Sequence, residues 1–385
     1  MTNSLSSVRF TLSGKDALSA AQRVAAIAAE HASEVDRNAE FPAAAMAALA
    51  DAGLLAAVAP EAEGGLELGL PVLARVGIEL ARGCGSTAMI WAMHQIMLAC
   101  ALRHGGPPDL VSTMVSGNLL LASVTSEKGL GAELSRSHAV IENGRTLEKD
   151  AMTVSYGQQA DAFLITARRD RAADQRDIAA VMVGRNQIEL ARTGIWNPMG
   201  MRGTCSPPFL IRAEFEPDQI LTDPFPTIKA HTLVPLSQIL WSAVWIGLAG
   251  EALDRAARAL DARARRSDAA VLDHRMAWGD QLLIGLETQL ADAITCFDEV
   301  WSGQRAPDGW LAARLNALKL AASTATVTVA QHALSICGFS GYQEDGPLSI
   351  SRILRDLYSA QIMVSNDRLL EANAASAVAT RLPPT

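Results

Sequence analysis

The sequence predicts an α+β fold that is mostly α. A helical domain spans residues 1–118, a small β-barrel or sandwich spans 119–230, and a four-helix bundle spans 231–385. Three observations carry this. Alanine is abundant while aromatics are only 5% of the 385 residues, a balance that favours helix. From Leu119 to Ile211 the helical period gives way to short apolar runs separated by Gly, Asn and Asp. Beyond Val234 three long apolar-periodic segments follow with short links, the pattern of an antiparallel bundle.

In chain order, Ala17–Ser33 is an alanine-rich helix, and a second starts at Phe41-Pro42 and closes at Gly53. Glu61–Gly69 reads as a loop. Leu70–Arg82, Ser86–Arg103 and Pro107–Ser116 complete the helical third. His138–Ile141, Met152–Ser155, Phe163–Ala167, Ile178–Val183 and Phe209–Ile211 are the strand candidates after the run Leu119–Thr125. Trp241–Arg266, Met276–Ser302 and Gly309–Ile336 are the long helices. The stretch Ser335–Leu370 opens on Gly338, Gly341, Gly346 and Pro347, becomes a helix carrying Arg355-Asp356, breaks at Met363–Asp367 and ends in a last helix. Glycines beside a helix start let a phosphate or a flat cofactor approach the backbone.

Net charge is −8 and Lys/Arg form no run, so nucleic acid and an anionic membrane surface are not expected partners. Five cysteines, odd in number and without a CxxC pair, suit a reducing cytoplasm and give no disulfide frame or metal site. The N-terminus shows no signal-peptide pattern. Val234–Leu248, the most apolar stretch, is interrupted by Ser237, Gln238 and Ser242 and is too short and polar for a membrane span.

Several separated segments together resemble the acyl-CoA dehydrogenase superfamily of flavoproteins, over roughly residues 16–379. FPAAAMAALADAGLLAAVAPEAEGGLELG and CGSTAMIWAMHQ are similar to family segments of the helical domain. His94 lies in the second: either a packing histidine or, as in oxygenating relatives, one near the flavin. SVTSEKGLGAEL resembles the family's Thr-Glu-Pro-Gly-Ala-Gly-Ser-Asp segment, which implies that Ser123, Val124, Thr125 and Ser126 lie along the flavin. Lys128 stands for its proline and Ala132 for its serine, so Ala132 marks a substrate contact that departs from the pattern.

MTVSYGQQADAFLITARRD resembles the family's Trp-Ile-Thr-Asn-Gly strand. Thr153 replaces the tryptophan flanking the ring. Ser155 replaces the threonine whose hydroxyl reaches flavin N5, where a donor stabilises new electron density. NPMGMRGTCS, VWIGLAGEALDRAARAL and RILRDLYSAQI match scaffold segments. DARARRSDAAVLDHR stands where the family has Arg-x-x-Phe-Gly, whose arginine meets the FAD pyrophosphate across a subunit interface; Arg263 or Arg265 is the candidate here. ICGFSGY matches Ile-Phe-Gly-Gly-x-Gly-Phe/Tyr, with Gly338 and Phe339 on the two glycines.

The resemblance also exposes a gap. Dehydrogenation of an acyl thioester needs a carboxylate base at the α-carbon. In the largest branch it comes from Tyr-Glu-Gly-Thr, which falls on Met363–Asn366 here and puts Val364 at the glutamate. A second branch uses the start of the first bundle helix, near Ser237, with Gln238 where an arginine is common. Asp367 is the nearest carboxylate, either a displaced base or a helix cap. The resemblance leads to FAD-dependent α,β-dehydrogenation of an acyl thioester (on CoA or a carrier protein) with an electron-transfer partner; the alternatives are monooxygenation by oxygen and reduced flavin, the latter supplied by a flavin reductase, and a non-catalytic subunit of a hetero-oligomer. FMN is the alternative cofactor, and a homotetramer or dimer of dimers is the expected assembly.

Overall fold

The computed structural model describes residues 14–130, 133–267 and 272–381. Five helices come first: α1 (Gly14–Asn38), α2 (Ala43–Asp51), α3 (Leu70–Gly83), α4 (Gly85–Arg103) and α5 (Pro108–Ser116). α1 buries one alanine-lined stripe, Ala17, Ala20, Ala21, Val24 and Ala28, whose small side chains let it lie close on α3. α4 is buried almost all round, and Trp91 at its centre donates its indole N–H to Leu54 O at 2.8 Å.

Seven strands follow: β1 (Leu121–Val124), β2 (Ile141–Glu142), β3 (Thr146–Ala151), β4 (Ala162–Arg168), β5 (Ile178–Gly184), β6 (Ile188–Arg192) and β7 (Phe209–Glu214). They form two sheets. In one, β4 lies between β1, parallel to it, and antiparallel β5; the other is antiparallel in the order β2-β3-β7-β6. β4 and β5 are buried on both faces, which is why they read as unbroken apolar runs.

The expected strand Met152–Ser155 is a correction. The chain leaves the sheet after Ala151, and the strand is the preceding Thr146–Ala151. Its inward positions are Leu147, Lys149 and Ala151, so a buried lysine breaks the apolar alternation. Lys149 Nζ donates to Thr166 O (2.7 Å) and Thr166 Oγ1 (3.0 Å) and lies 3.7 Å from the Glu127 carboxylate. His138–Ile141 likewise shortens to Ile141–Glu142, and β6, mostly exposed, had no apolar pattern to announce it.

A short helix α6 (Phe225–Ile228) continues through one π-helical turn, Lys229–Leu233, into α7 (Val234–Ser267). Then come α8 (His274–Trp301), α9 (Gly309–Cys337), the single turn α10 (Phe339–Tyr342), α11 (Ser351–Leu357) and α12 (Asn366–Arg381). Asp273 and Asp308 cap α8 and α9 by accepting backbone N–H groups. The bundle is three long helices with the shorter α12 against α9. α7 organises the interior: it packs on α3 and α4 and on α8 and α9, so one large apolar core joins the helical and β portions, with a small separate cluster of Ala28, Ala32, Ala45 and Cys84. The helical run holding Val234–Leu248, expected to be too short and polar, is corrected: with α4 and α9, the α6–α7 run is long and apolar enough to cross a membrane, but 89% (α4), 83% (α6–α7) and 50% (α9) of their most apolar windows are buried inside the protein.

Candidate functional site

Two loops leaving the β layer are zipped together. Ser126 Oγ, after β1, donates to Thr153 O at 2.8 Å and accepts from Thr153 N at 3.2 Å. Ser123 and Thr125 share a hydroxyl contact at 3.2 Å, while the Val124 side chain is sealed in the core. Two residues beyond Thr153, Ser155 Oγ accepts from Ser206 Oγ at 2.8 Å. The sequence therefore brings Ser123–Ser126, Thr153 and Ser155 to one edge. Behind it, buried Glu127 anchors the loop by accepting from Ser137 Oγ (2.7 Å), His138 N (3.1 Å) and Ala139 N (2.8 Å). Ala132 lies outside the described residues.

The far end of this loop faces the start of α12. Lys229 Nζ donates to Ser135 Oγ. The Ser135 backbone N–H holds the Glu133 carboxyl below its ordinary range, with the charges of Arg368 and Lys229 acting in the same direction. The turn before α12 carries Val364 at φ +55°, a position a β-branched residue rarely takes. Val364 O accepts from Lys319 Nζ at 2.5 Å, and Asn366 Oδ1 accepts from the same nitrogen at 2.6 Å. Lys319, on α9, is fully buried, and burial pushes its pKa down to about 8.

Around it runs a polar seam between α7, α9 and α12. Gln238 donates to Asn316 Oδ1 (2.7 Å), and Asn316 donates to Asn373 Oδ1 (2.8 Å). Asn366 donates to Ser323 Oγ (3.1 Å). Gln238 Oε1 and the indole N–H groups of Trp241 and Trp245 have no hydrogen-bond partner among protein groups. Residues 238, 241 and 245 share one face of α7.

Two candidates take bland places. Asp367 is exposed in the first turn of α12, where a carboxylate favours the helix dipole. His94 takes the packing alternative: Nε2 donates to Leu55 O (2.7 Å) and Nδ1 accepts from Leu121 N (3.0 Å). Both nitrogens are committed to backbone, and burial lowers the ring's pKa to about 4, which keeps it neutral.

At the end of α9, Gly338 takes φ +61°, ψ −138°, open only to glycine, and its missing Cβ would lie 3.9 Å from Arg263 Nη2. Arg263 also donates to Ile336 O, and Arg255 to Ser349 O at 2.6 Å. Of the two arginine candidates, Arg263 is the one beside the glycine turn; Arg265 is exposed further along α7. Phe339, 79% exposed, begins α10 with its ring outside the fold. Next door, Arg355 pairs with Asp36 and Glu344 and donates to Met199 O (2.9 Å), while buried Asp356 accepts from Met201 N (2.6 Å). Arg355 and Asp356 thus serve different hydrogen-bond partners.

A cavity of about 570 Å³ lies elsewhere, lined by residues including Arg103, His104, Asp223, His231 and Arg305. His104 spans Asp223 (2.7 Å) and Thr232 (2.8 Å) there, but Thr232 is fully buried, so the row is a strut rather than a nucleophile relay. Among the described residues no cluster of three His, Cys, Asp or Glu side chains could hold a metal.

Residues 17–141 match the N-terminal domain of acyl-CoA dehydrogenase, and residues 232–367 match its C-terminal domain. The chain belongs to the acyl-CoA dehydrogenase family. It is 25% identical over 360 residues to a cyclohex-1-ene-1-carbonyl-CoA dehydrogenase of Geobacter metallireducens, covering 89% of this chain and 91% of that one. It is 26% identical over 351 residues to the amino sugar nitrososynthase DnmZ of Streptomyces peucetius, covering 85% and 84%. Its fold superposes on the dibenzothiophene monooxygenase TdsC of Paenibacillus sp. A11-2 with a TM-score of 0.79 at 19% identity, covering 95% and 98%. The family is one of flavoproteins, and the chain's own residues fit such a group: a hydroxyl edge, a glycine turn without a Cβ, and a guanidinium beside it. Sequence reasoning missed Lys319. Its signal was present, since it lies four and eight residues after the buried Leu315 and Leu311, on the inward face of an apolar helix.

Proposed function

We propose that this flavoprotein uses reduced flavin and dioxygen to oxidise a small polar molecule. The observation that carries the reading is at Val364–Asn366. An α,β-dehydrogenase of this family is expected to hold a carboxylate there, and instead the turn is held by the buried amine of Lys319. Oxygen transfer needs no base at an α-carbon. The nitrososynthase among the relatives supports the reading.

When bound, the reduced flavin, FAD or in second place FMN, would supply the electrons that activate dioxygen. The Ser126–Thr153 zip would present backbone to the ring, and Ser155, positioned 2.8 Å from Ser206 Oγ, would donate its hydroxyl proton. Gly338 and Arg263 would hold the phosphates. The unpaired Gln238, Trp241 and Trp245 groups favour a hydrogen-bonding substrate over a plain acyl chain. A flavin reductase would be the partner in this reading. A homo-oligomer is part of it, because Phe339 and Tyr342 are large and exposed beside the phosphate end. Free cysteines agree with a cytoplasmic setting.

The second reading, dehydrogenation of an acyl thioester with an electron-transfer partner, draws on the dehydrogenase relative. One experiment separates them. Protein loaded with flavin is reduced by light without oxygen, then mixed with oxygen or with acyl-CoA after reoxidation. Rapid oxygen-dependent reoxidation and silence toward acyl-CoA support the proposal. Anaerobic bleaching by an acyl-CoA overturns it, and no uptake of FAD or FMN would leave the non-catalytic subunit.

A further inference from the structure

The cavity of about 570 Å³ shares no lining residue with the hydroxyl edge or the Gly338 turn. Its walls come from three parts of the chain. Arg103 and His104 end α4, Asp223 and His231 lie on the run through α6 into the π-helical turn, and Arg305 and Ala306 follow α8. Its volume is that of a small-molecule site, and π-helical turns gather at functional sites.

The charges around it are matched, with one exception. Asp223 is engaged by His104 at 2.7 Å, and Thr232 fixes the ring from its other side at 2.8 Å. Arg305 is matched by Glu299 (3.2 Å) and Asp308 (3.7 Å). Arg103 pairs with no carboxylate among the described residues. It is nonetheless held in place: Nη2 donates to Trp301 O at 2.5 Å, and the Trp301 ring lies under the guanidinium, 4.0 Å away at the centroid. A guanidinium has five N–H donors in a planar fork, so a fork with one donor used is still shaped for a carboxylate. Asp223, 42% exposed on the same cavity, can accept more than the one bond from His104. Its negative charge works against a dianion such as phosphate and favours a monoanion that also brings a hydroxyl to donate.

We propose that this cavity is a binding site for a small hydroxycarboxylic acid, with the carboxylate on Arg103 and the hydroxyl donating to Asp223. The site is separate from the flavin residues and stands whichever flavin reaction the chain performs.

The test is a ligand-observed NMR titration of the full, flavin-loaded chain with 3-hydroxybutyrate, butyrate and inorganic phosphate as probes. Saturable binding of 3-hydroxybutyrate is expected, with the flavin absorbance unchanged. Arg103→Gln should weaken it roughly ten- to a hundredfold, the worth of a charge-assisted contact. Butyrate, which lacks the hydroxyl, should bind the wild type roughly tenfold more weakly. Arg103→Gln also gives up the Trp301 contacts, so Ala306→Trp is the second variant: it fills the cavity from an exposed loop position and should abolish binding. No saturable binding of 3-hydroxybutyrate overturns the proposal. So does binding that survives Ala306→Trp or changes the flavin absorbance, either of which puts the ligand elsewhere. Butyrate or phosphate binding as tightly as 3-hydroxybutyrate overturns the ligand class.

Discussion

Ser206 Oγ and Ser155 Oγ lie 2.8 Å apart, so the Ser155 hydroxyl, with its one proton, is positioned by a neighbour that also has Thr204 O within 3.2 Å. Ser155→Ala removes that proton. Flavin-linked turnover is expected to fall by roughly 10²-fold, the usual size of one lost donor at a charge-developing atom, with flavin affinity changed far less. Ser155→Thr keeps the donor and should retain most of the rate. Equal rates for alanine and wild type would remove Ser155 from the site.

Arg263→Ala should weaken flavin binding by roughly ten- to a hundredfold, the worth of a charge-assisted hydrogen bond. Arg265→Ala, changing an exposed side chain, should leave the dissociation constant within a factor of about two. Titration by fluorescence quenching decides between them, with a melting curve for Arg263→Ala because that side chain also serves Ile336 O.

His94 gives a stability effect with a defined sign. Its folded pKa of about 4 lies below the ordinary 6.5, so the unfolded chain binds the extra proton between those values. Stability contributed by neutral His94 is therefore present above pH 6.5 and lost as pH falls toward 4. Asp356 acts oppositely: burial raises it to about 6, so its contribution grows as pH falls from 6 toward 3.8. His94→Gln should flatten the acid limb of melting temperature against pH. A limb as steep as that of the wild type would show that His94 is not the group responsible.

Asp367→Asn is expected to change neither flavin reduction nor reoxidation by more than about twofold, since Asp367 is exposed in the first turn of α12. Val364→Glu is more telling. A carboxylate on the turn that Lys319 holds should raise the amine's titration half-point, read by competitive acetylation, by roughly one to three pH units. An unchanged Lys319 half-point would mean that the Val364 side chain and the amine do not share a site.

Most of the fold was legible because its signals are repetitive. α9 and α7 carry an apolar period over many turns, and β4 and β5 are unbroken apolar runs. β3 was not legible, because one of its three inward residues is Lys149 and the partners that make burial tolerable, Thr166 and Glu127, are 17 and 22 residues away. The site divided the same way. Segments expected to approach flavin through backbone, Ser123–Ser126 and Gly338, announced themselves by local pattern. Lys319 did not, because its meaning comes from Val364 and Asn366, more than 40 residues on. His94 left two readings open for a related reason: a ring committed at both nitrogens looks, in sequence, like one that is free.

One guanidinium, that of Arg355, joins α1 through Asp36, the β layer through Met199 O and the glycine loop through Glu344. None of these three partners is in the same stretch of chain as another. The helical third, expressed alone, would expose Asp36 without its cation, and the bundle alone would leave a partly buried Arg355 without Asp36 and Met199 O. The three portions are therefore expected to melt in one transition, and a gene cut at either junction should give fragments that fold only when they are made together.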